Sequence, residues 1–352
     1  MRTPLLLLLL LSFSWAQNIS APILSGPKYA VYIDGAAGWW GEALARSLNV
    51  PGYAPKNAYN NVILAFWLPD RAADLASAWA SLDDSTKTTY LNAYHNAGIR
   101  VTVSAFGSTV NPATQNLDAT ATANSFAQWI ISNRLDGADV DYEDSASFEN
   151  NIGATWLITF NKVLRAALPS PQYTISHAPQ GPYFMDTKYP DGAYNTIHQK
   201  AGSGIDWYNV QFYNQDSTTY STCDTLLVAS DGWASNTAVS QLIAKNIPAS
   251  KIVIGKPIAK TDAYNTGFMS SSDLAACGKM AKDKGRFGGF MGWQYPSDVN
   301  GTWINAIAIE NDSATNQPTG SDVLKPTSVK PGIAAAVQLS VAALIMACLL
   351  AL

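Results

Sequence analysis

Eight short runs rich in β-branched and aromatic residues punctuate the chain at a steady interval, and this repetition most constrains its fold. They occupy residues 29–33, 62–67, 99–105, 138–142, 173–176, 207–213, 251–254 and 287–293. A polar turn and room for a helix follow each run. Apolar residues recur with helical spacing most clearly over 72–82, 121–134, 156–168 and 274–284. Strands alternating with helices call for a parallel sheet, and eight such units in about 300 residues point to a single-domain α/β fold, a (β/α)8 TIM barrel. A doubly wound open sheet is the alternative. It would ordinarily carry a glycine-rich phosphate loop after its first strand, and Asp34-Gly35-Ala36-Ala37-Gly38 lacks the GxGxxG spacing. In a barrel, chemistry gathers where the strands end on their C-terminal side, so polar residues there carry the most information.

Composition narrows the function classes. With 47% hydrophobic and 14% charged residues the chain is too apolar for disorder and ample to bury a core. Its formal net charge is −4, with basic residues scattered, whereas a nucleic-acid partner requires a concentrated basic face. The 11 Trp and 16 Tyr supply flat surfaces on which a polar cyclic ligand such as a sugar can stack.

The fourth run reads Asp136-Gly137-Ala138-Asp139-Val140-Asp141-Tyr142-Glu143. Side chains alternate along a strand, so Asp139, Asp141 and Glu143 share one face while Val140 and Tyr142 take the other. In a barrel the apolar set meets the helices, which turns three carboxyls inward. Neighbouring buried carboxyls raise one another's pKa, the property a general acid needs near neutral or mildly acidic pH. A solvated edge strand is a weak alternative because a closed barrel has no edge. So is a calcium site, since carboxylates on every second residue of a rigid strand wrap a cation poorly. The sixth run repeats the parity: Asn209, Gln211 and Tyr213 on one face, Val210 and Phe212 on the other.

The acidic run resembles the DGxDxDxE signature of glycoside hydrolase family 18, the chitinases and related endo-N-acetylglucosaminidases. Ser104-Ala105-Phe106-Gly107 is similar to that family's SxGG segment, with Phe in place of the first Gly. Gln211-Phe212-Tyr213-Asn214 is similar to the QFYN of the hevamine-like branch. Gly288-Gly289-Phe290-Met291-Gly292-Trp293 is similar to the GGxMxW segment whose Trp floors the sugar site. The resemblance implies a substrate-assisted, retaining mechanism. Glu143 is then the acid and later the base, Asp141 holds the acetamido N–H, Asp139 shares a proton with Asp141, and Tyr213 aligns the acetamido oxygen. Trp293, Gln211, Asn214, Ser104, Gly107 and Asp136 are the expected substrate-binding residues, with neither metal nor organic cofactor. The implied substrate carries a 2-acetamido group: chitin, chito-oligosaccharides or the chitobiose core of N-glycans. A non-catalytic chitin-binding lectin is the alternative of another class. Trp39, Trp40, Trp67, Tyr183 and Phe184, each just after a strand, are candidates for further sugar subsites.

The ends carry a different message. Residues 1–16 combine Arg2, an unbroken leucine run and Ser14-Trp15-Ala16, the pattern of a secretory signal. Residues 333–352 are uncharged and follow a polar spacer and Gly320-Ser321-Asp322, the order of a glycosylphosphatidylinositol anchor signal; a tail-anchored span is second. This organisation gives a catalytic barrel over 17–310, a stalk over 311–320 and a removed segment over 321–352. The expected location is extracellular, held at a membrane or cell wall only through lipid, and the combination suggests a fungal monomer. Cys223 and Cys277 are either a disulfide pair or two free thiols. Asn18, Asn300 and Asn311 head glycosylation triplets.

Overall fold

A computed structural model describes residues 20–34, 59–215 and 219–309. Both terminal signals, Trp39, Trp40, Asn18 and Asn311 lie outside them. Eight parallel strands close on themselves: β1 (Lys28–Ile33), β2 (Asn61–Leu68), β3 (Arg100–Gly107), β4 (Gly137–Tyr142), β5 (Thr174–His177), β6 (Trp207–Gln211), β7 (Ile252–Pro257) and β8 (Gly289–Trp293). Each pairs with its sequence neighbour, and β1 pairs with both β2 and β8, which completes the ring. A two-residue strand, Arg71–Ala72, folds back antiparallel on the end of β2. The (β/α)8 expectation therefore holds, and the open sheet is excluded.

Strand parity sorts the core into two clusters. Ala30, Tyr32, Ile63, Trp207, Val253 and Met291 fill the barrel interior together with Ala178 and Tyr213. Val31, Val62, Val101, Val140, Tyr142 and Ile254 face outward into the larger core shared with the helices. The surrounding helices form where capping and apolar spacing agree. Ala119–Ser132 starts at Asp118, whose carboxylate accepts the Ala121 N–H at 2.7 Å, and buries Thr122, Phe126 and Ile130 at helical intervals. Ser271–Asp283 is capped in the same way by Ser270 and buries Leu274, Cys277 and Ala281. Fully burying a Leu or Phe contributes about 1.5–3 kcal/mol, so these faces rather than intrinsic propensity hold the helices in place.

Strand ends differ from expectation where the backbone leaves extended geometry. β6 stops at Gln211, two residues short of Tyr213, and Asn214 turns the chain with φ 62°. β8 begins at Gly289 rather than residue 287. There φ is 129°, and a Cβ would sit 1.9 Å from the Lys28 carbonyl oxygen of the neighbouring strand. Cys223 and Cys277 form a disulfide, tying the segment after β6 to the helix after β7 across 54 residues. Loop closure of that length is worth about 4 kcal/mol in the chain-entropy account.

The N-terminal mouth of the barrel is plugged. Arg100, at the start of β3, is buried and spends its guanidinium on the carbonyls of Pro22, Asp136, Pro171 and Gln172. Leu24 packs against the interior cluster from this side. The opposite mouth holds the acids.

Candidate active site

Asp139 is fully buried in the middle of the barrel, and its carboxylate is held by four donors from four strands. Oδ2 accepts from the Tyr32 hydroxyl at 2.6 Å and Ser104 Oγ at 2.8 Å; Oδ1 accepts from Ser176 Oγ at 2.5 Å and Asn209 Nδ2 at 3.1 Å. Register explains the convergence, since Asp139 is the Cα partner of Ser104 on one side and Ser176 on the other. Burial pushes its pKa up, and the four hydrogen bonds work against that by favouring the anion. None of these bonds comes from Asp141. Asp139 acts on Asp141 through its charge, which raises the Asp141 pKa.

One pleat higher, Asp141 and Glu143 are joined by a single amide. Gln211 Nε2 lies 2.8 Å from Asp141 Oδ1, 3.1 Å from Glu143 Oε1 and 3.0 Å from the Ala178 carbonyl oxygen. Burial pushes the Asp141 pKa well up, and the charges of Glu143, Asp139 and Asp34 push it in the same direction. Glu143 is also raised by burial, with the Gln211 hydrogen bond opposing. Two carboxyls this close in a desolvated site retain a proton between them above the range in which exposed carboxyls ionise. Tyr213 is buried beside them, and its phenol pKa is driven well up by burial and then by the Asp141 and Glu143 charges, so it stays a neutral donor.

Trp293 stands at the end of β8, at the same mouth. Its ring is partly exposed and packs on Tyr32 at 5.6 Å and on Phe66 at 6.3 Å between centroids. This tilted packing places an indole beside the ring that donates to Asp139. Gly107 makes room for it. With φ 70°, its missing Cβ would lie 3.2 Å from the Phe66 ring, so Gly107 contributes by yielding space to that ring.

The other residues expected to bind substrate make contacts within the protein. Asp136 lies at the opposite mouth, on the order of 20 Å of strand from Glu143. It accepts the Val101 N–H at 2.7 Å and faces His95 Nε2 at 3.0 Å, so it ties the barrel base together. Ser104 is fully buried beneath the acids, and its hydroxyl is spent on Asp139. Asn214 turns its Oδ1 to the backbone N–H groups of Tyr264 and Asn265, holding the loop after β7. Trp67 packs on Phe106 and Phe126 in the outer core. Tyr183 and Phe184 are wholly buried, Tyr183 with its hydroxyl 2.7 Å from Ser145 Oγ.

Other residues of the site carry no mark in the sequence. Tyr32, Ser176 and Phe66 come from strands far away in the chain. Asp144 is the exception, because Asp144-Ser145-Ala146-Ser147 reads as a helix start. Its buried carboxylate caps the short helix Ser145–Glu149 at the Ser147 N–H and accepts from Thr114 N–H and Oγ1 at 2.8 and 2.6 Å. That anchor fixes the backbone immediately after Glu143. Among the described residues no cluster of three or more His, Cys, Asp or Glu side chains has the geometry to hold a metal ion, and no helix is long and apolar enough to cross a membrane.

The acids stand at the C-terminal mouth of the (β/α)8 barrel, where this fold places its chemistry. The glycosyl hydrolases family 18 model matches residues 29–294, and the chain belongs to that family. A chitinase from Pseudoalteromonas aurantia is 30% identical, covering 80% of this chain and 98% of its own, with a TM-score of 0.63. A fungal endo-beta-N-acetylglucosaminidase is 20% identical over 80% and 96% of the two chains, TM-score 0.58. A xylanase and alpha-amylase inhibitor protein from Scadoxus multiflorus is 18% identical over 80% and 98%, TM-score 0.51, so the fold also serves a protein named as an inhibitor. A search of curated protein sequences returned no match.

Proposed function

We propose that the protein is an endo-acting chitinase, cleaving β-1,4 bonds between N-acetylglucosamine residues with retention of configuration. The observation that carries this reading is the Asp141–Gln211–Glu143 arrangement, with Tyr213 beside it and Trp293 as floor. Glu143, whose pKa burial raises, donates its proton to the glycosidic oxygen as that bond breaks. The acetamido oxygen of the sugar on the non-reducing side attacks the anomeric carbon from the opposite face, forming an oxazolinium ring. Asp141 accepts the acetamido N–H and balances the positive charge, while the Tyr213 hydroxyl orients the acetamido oxygen. Glu143, now a carboxylate, takes a proton from water as the water opens the ring, which returns the sugar with its β configuration. The short Gln211 bonds keep both carboxyls oriented throughout.

The identity to the Pseudoalteromonas aurantia chitinase favours chitin and its oligomers. Cleavage of the chitobiose core of N-glycans is the second reading, favoured by the likeness to the fungal endo-beta-N-acetylglucosaminidase. A non-catalytic lectin fits less well, because the acid Glu143 is present in a site that raises its pKa. The same proposal puts the protein outside the cell, exported by residues 1–16 and held by lipid near Gly320; the Cys223–Cys277 disulfide suits that oxidising location. Incubation with chitohexaose and, separately, with a high-mannose glycoprotein tests the assignment by product mass. Chito-oligomers support a chitinase. Glycan release that leaves one N-acetylglucosamine on the protein reassigns the substrate, and binding without product in either assay leaves the lectin.

A further inference from the structure

Lys256 is an ammonium group where an apolar side chain would be expected. It lies on β7 with Ile254 on the face turned away from the barrel interior, and none of its surface is exposed. Its three donors reach three backbone carbonyls: Tyr220 at 2.7 Å, Phe212 at 2.8 Å and Gly267 at 2.9 Å. All three partners are neutral. Burying an ammonium without a counter-ion costs several kcal/mol even when its hydrogen bonds are made, and a leucine or methionine would fill the space without that cost. Burial accordingly pulls its pKa down to about 7.

The carbonyls it gathers are not scattered. Phe212 immediately precedes Tyr213. Gly267 sits against the other side of the same residue: with φ 98°, a Cβ there would lie 2.4 Å from Tyr213 Cα and 2.6 Å from its Cβ. The Thr266 carbonyl beside it accepts the Asn214 N–H at 2.8 Å. Tyr213 is therefore wedged between two backbone segments, from the loops after β6 and β7, which the ammonium draws together on one side of it and Asn214, through Thr266, Tyr264 and Asn265, on the other. Beyond β6 regular pairing ends at Gln211, and a single further backbone bond, from the Phe212 N–H to the Gly255 carbonyl at 3.2 Å, ties this stretch to β7.

We propose that Lys256 is a positioning residue for Tyr213, clamping the two loops that fix where the phenol stands relative to Asp141 and Glu143. The inference rests on the role given to Tyr213 above. Removing the ammonium leaves three buried carbonyls without a donor, and the loops then separate from β7 rather than keep the wedge closed. Substrate binding elsewhere in the cleft is untouched, so the loss falls on kcat.

The test is a double-mutant cycle on chito-oligosaccharide hydrolysis. Lys256→Met is expected to lower kcat roughly tenfold or more with KM within about twofold, and to change kcat less than about twofold when Tyr213 is already Phe. Gly267→Ala, which pushes on the same contact from the other loop, should behave alike and stands in if Lys256→Met does not fold. Amide hydrogen exchange of the unliganded protein gives a readout independent of activity. Lys256→Met should speed exchange at least about tenfold over residues 212–214 and 265–268, with no change over 139–142. Full multiplication of the Lys256 and Tyr213 effects, or a Tyr213→Phe enzyme as active as the parent, overturns the inference while leaving the glycosidase reading in place. If the parent cleaves no substrate, that reading fails, and unchanged exchange at 212–214 would then overturn the clamp on its own.

Discussion

The Tyr32 hydroxyl donates to the Asp139 carboxylate across 2.6 Å in the interior of the barrel, linking the first strand to the fourth. It is one of four donors that keep a buried carboxylate in place beneath the reacting acids, and the same ring supports Trp293. Replacing Tyr32 with Phe keeps the packing and removes only the donor. A hydrogen bond to a charged group is worth about 1.5–3 kcal/mol. Urea unfolding of Tyr32→Phe at neutral pH should show a loss of that order, with a fall in kcat as Asp139 moves relative to Asp141. An unchanged midpoint would mean that Ser104, Ser176 and Asn209 suffice.

Asp141 should weaken the fold it serves. Its folded-state pKa is raised, by burial first and then by Glu143 and Asp139. As pH rises from the ordinary carboxyl range to that raised value, the folded protein keeps a proton the unfolded chain has released, so stability falls through this window. Asp141→Asn keeps an acceptor for Gln211 and removes the ionisation. It is expected to abolish turnover yet raise stability at pH 7 by on the order of 1 kcal/mol, as relief of a strained active site does. Thermal unfolding of the two proteins at pH 4 and pH 7 decides the matter: the gain should be larger at pH 7.

Gln211 donates to both reacting carboxyls and thereby favours their ionised forms. Substituting Met removes that donor at similar volume. The pH–rate profile of Gln211→Met should have its alkaline limb at higher pH than the parent's, because Glu143 holds its proton longer, together with a lower maximum from poorer orientation. A limb that moves to lower pH would contradict the assignment of Glu143 as the acid.

Asp136 belongs to the same acidic signature but stands at the base of the barrel. Asp136→Ala leaves the Val101 N–H without its acceptor, which costs about 1–3 kcal/mol. Steady-state kinetics well below the unfolding temperature should give kcat and KM within about twofold of the parent. A large rise in KM would restore Asp136 to the binding site.

These cases show which parts of the molecule its sequence discloses. The inward placement of Asp139 and Asp141 was legible because Val140 and Tyr142 alternate with them, and a period of two admits one arrangement once the apolar set faces helices. Asp136, from the same signature, stands at the far mouth because the six-residue strand Gly137–Tyr142 lies between it and Glu143. Ser104 has the inward parity that alternation gives it, and its depth in the barrel, where it bonds Asp139, is set by register. Trp67, Tyr183 and Phe184 followed strands, as stacking residues do, but their rings turned into the outer core among Phe106, Phe126, Phe148 and Tyr194. Tyr32, Ser176 and Phe66 could not be found in advance, since only the register of non-adjacent strands brings them to Asp139 and Trp293. Asp144 was within reach as a helix cap one residue after the acid.

In the proposed mechanism the attacking oxygen belongs to the substrate, and the configuration of the first-formed product tests this most directly. Chitohexaose hydrolysis followed by proton NMR in the first minutes, before mutarotation, should show the new reducing ends in the β configuration. Glu143→Gln should give no product while still binding the oligomer. Products born in the α configuration, or undiminished turnover by Glu143→Gln, would contradict the mechanism proposed for this site.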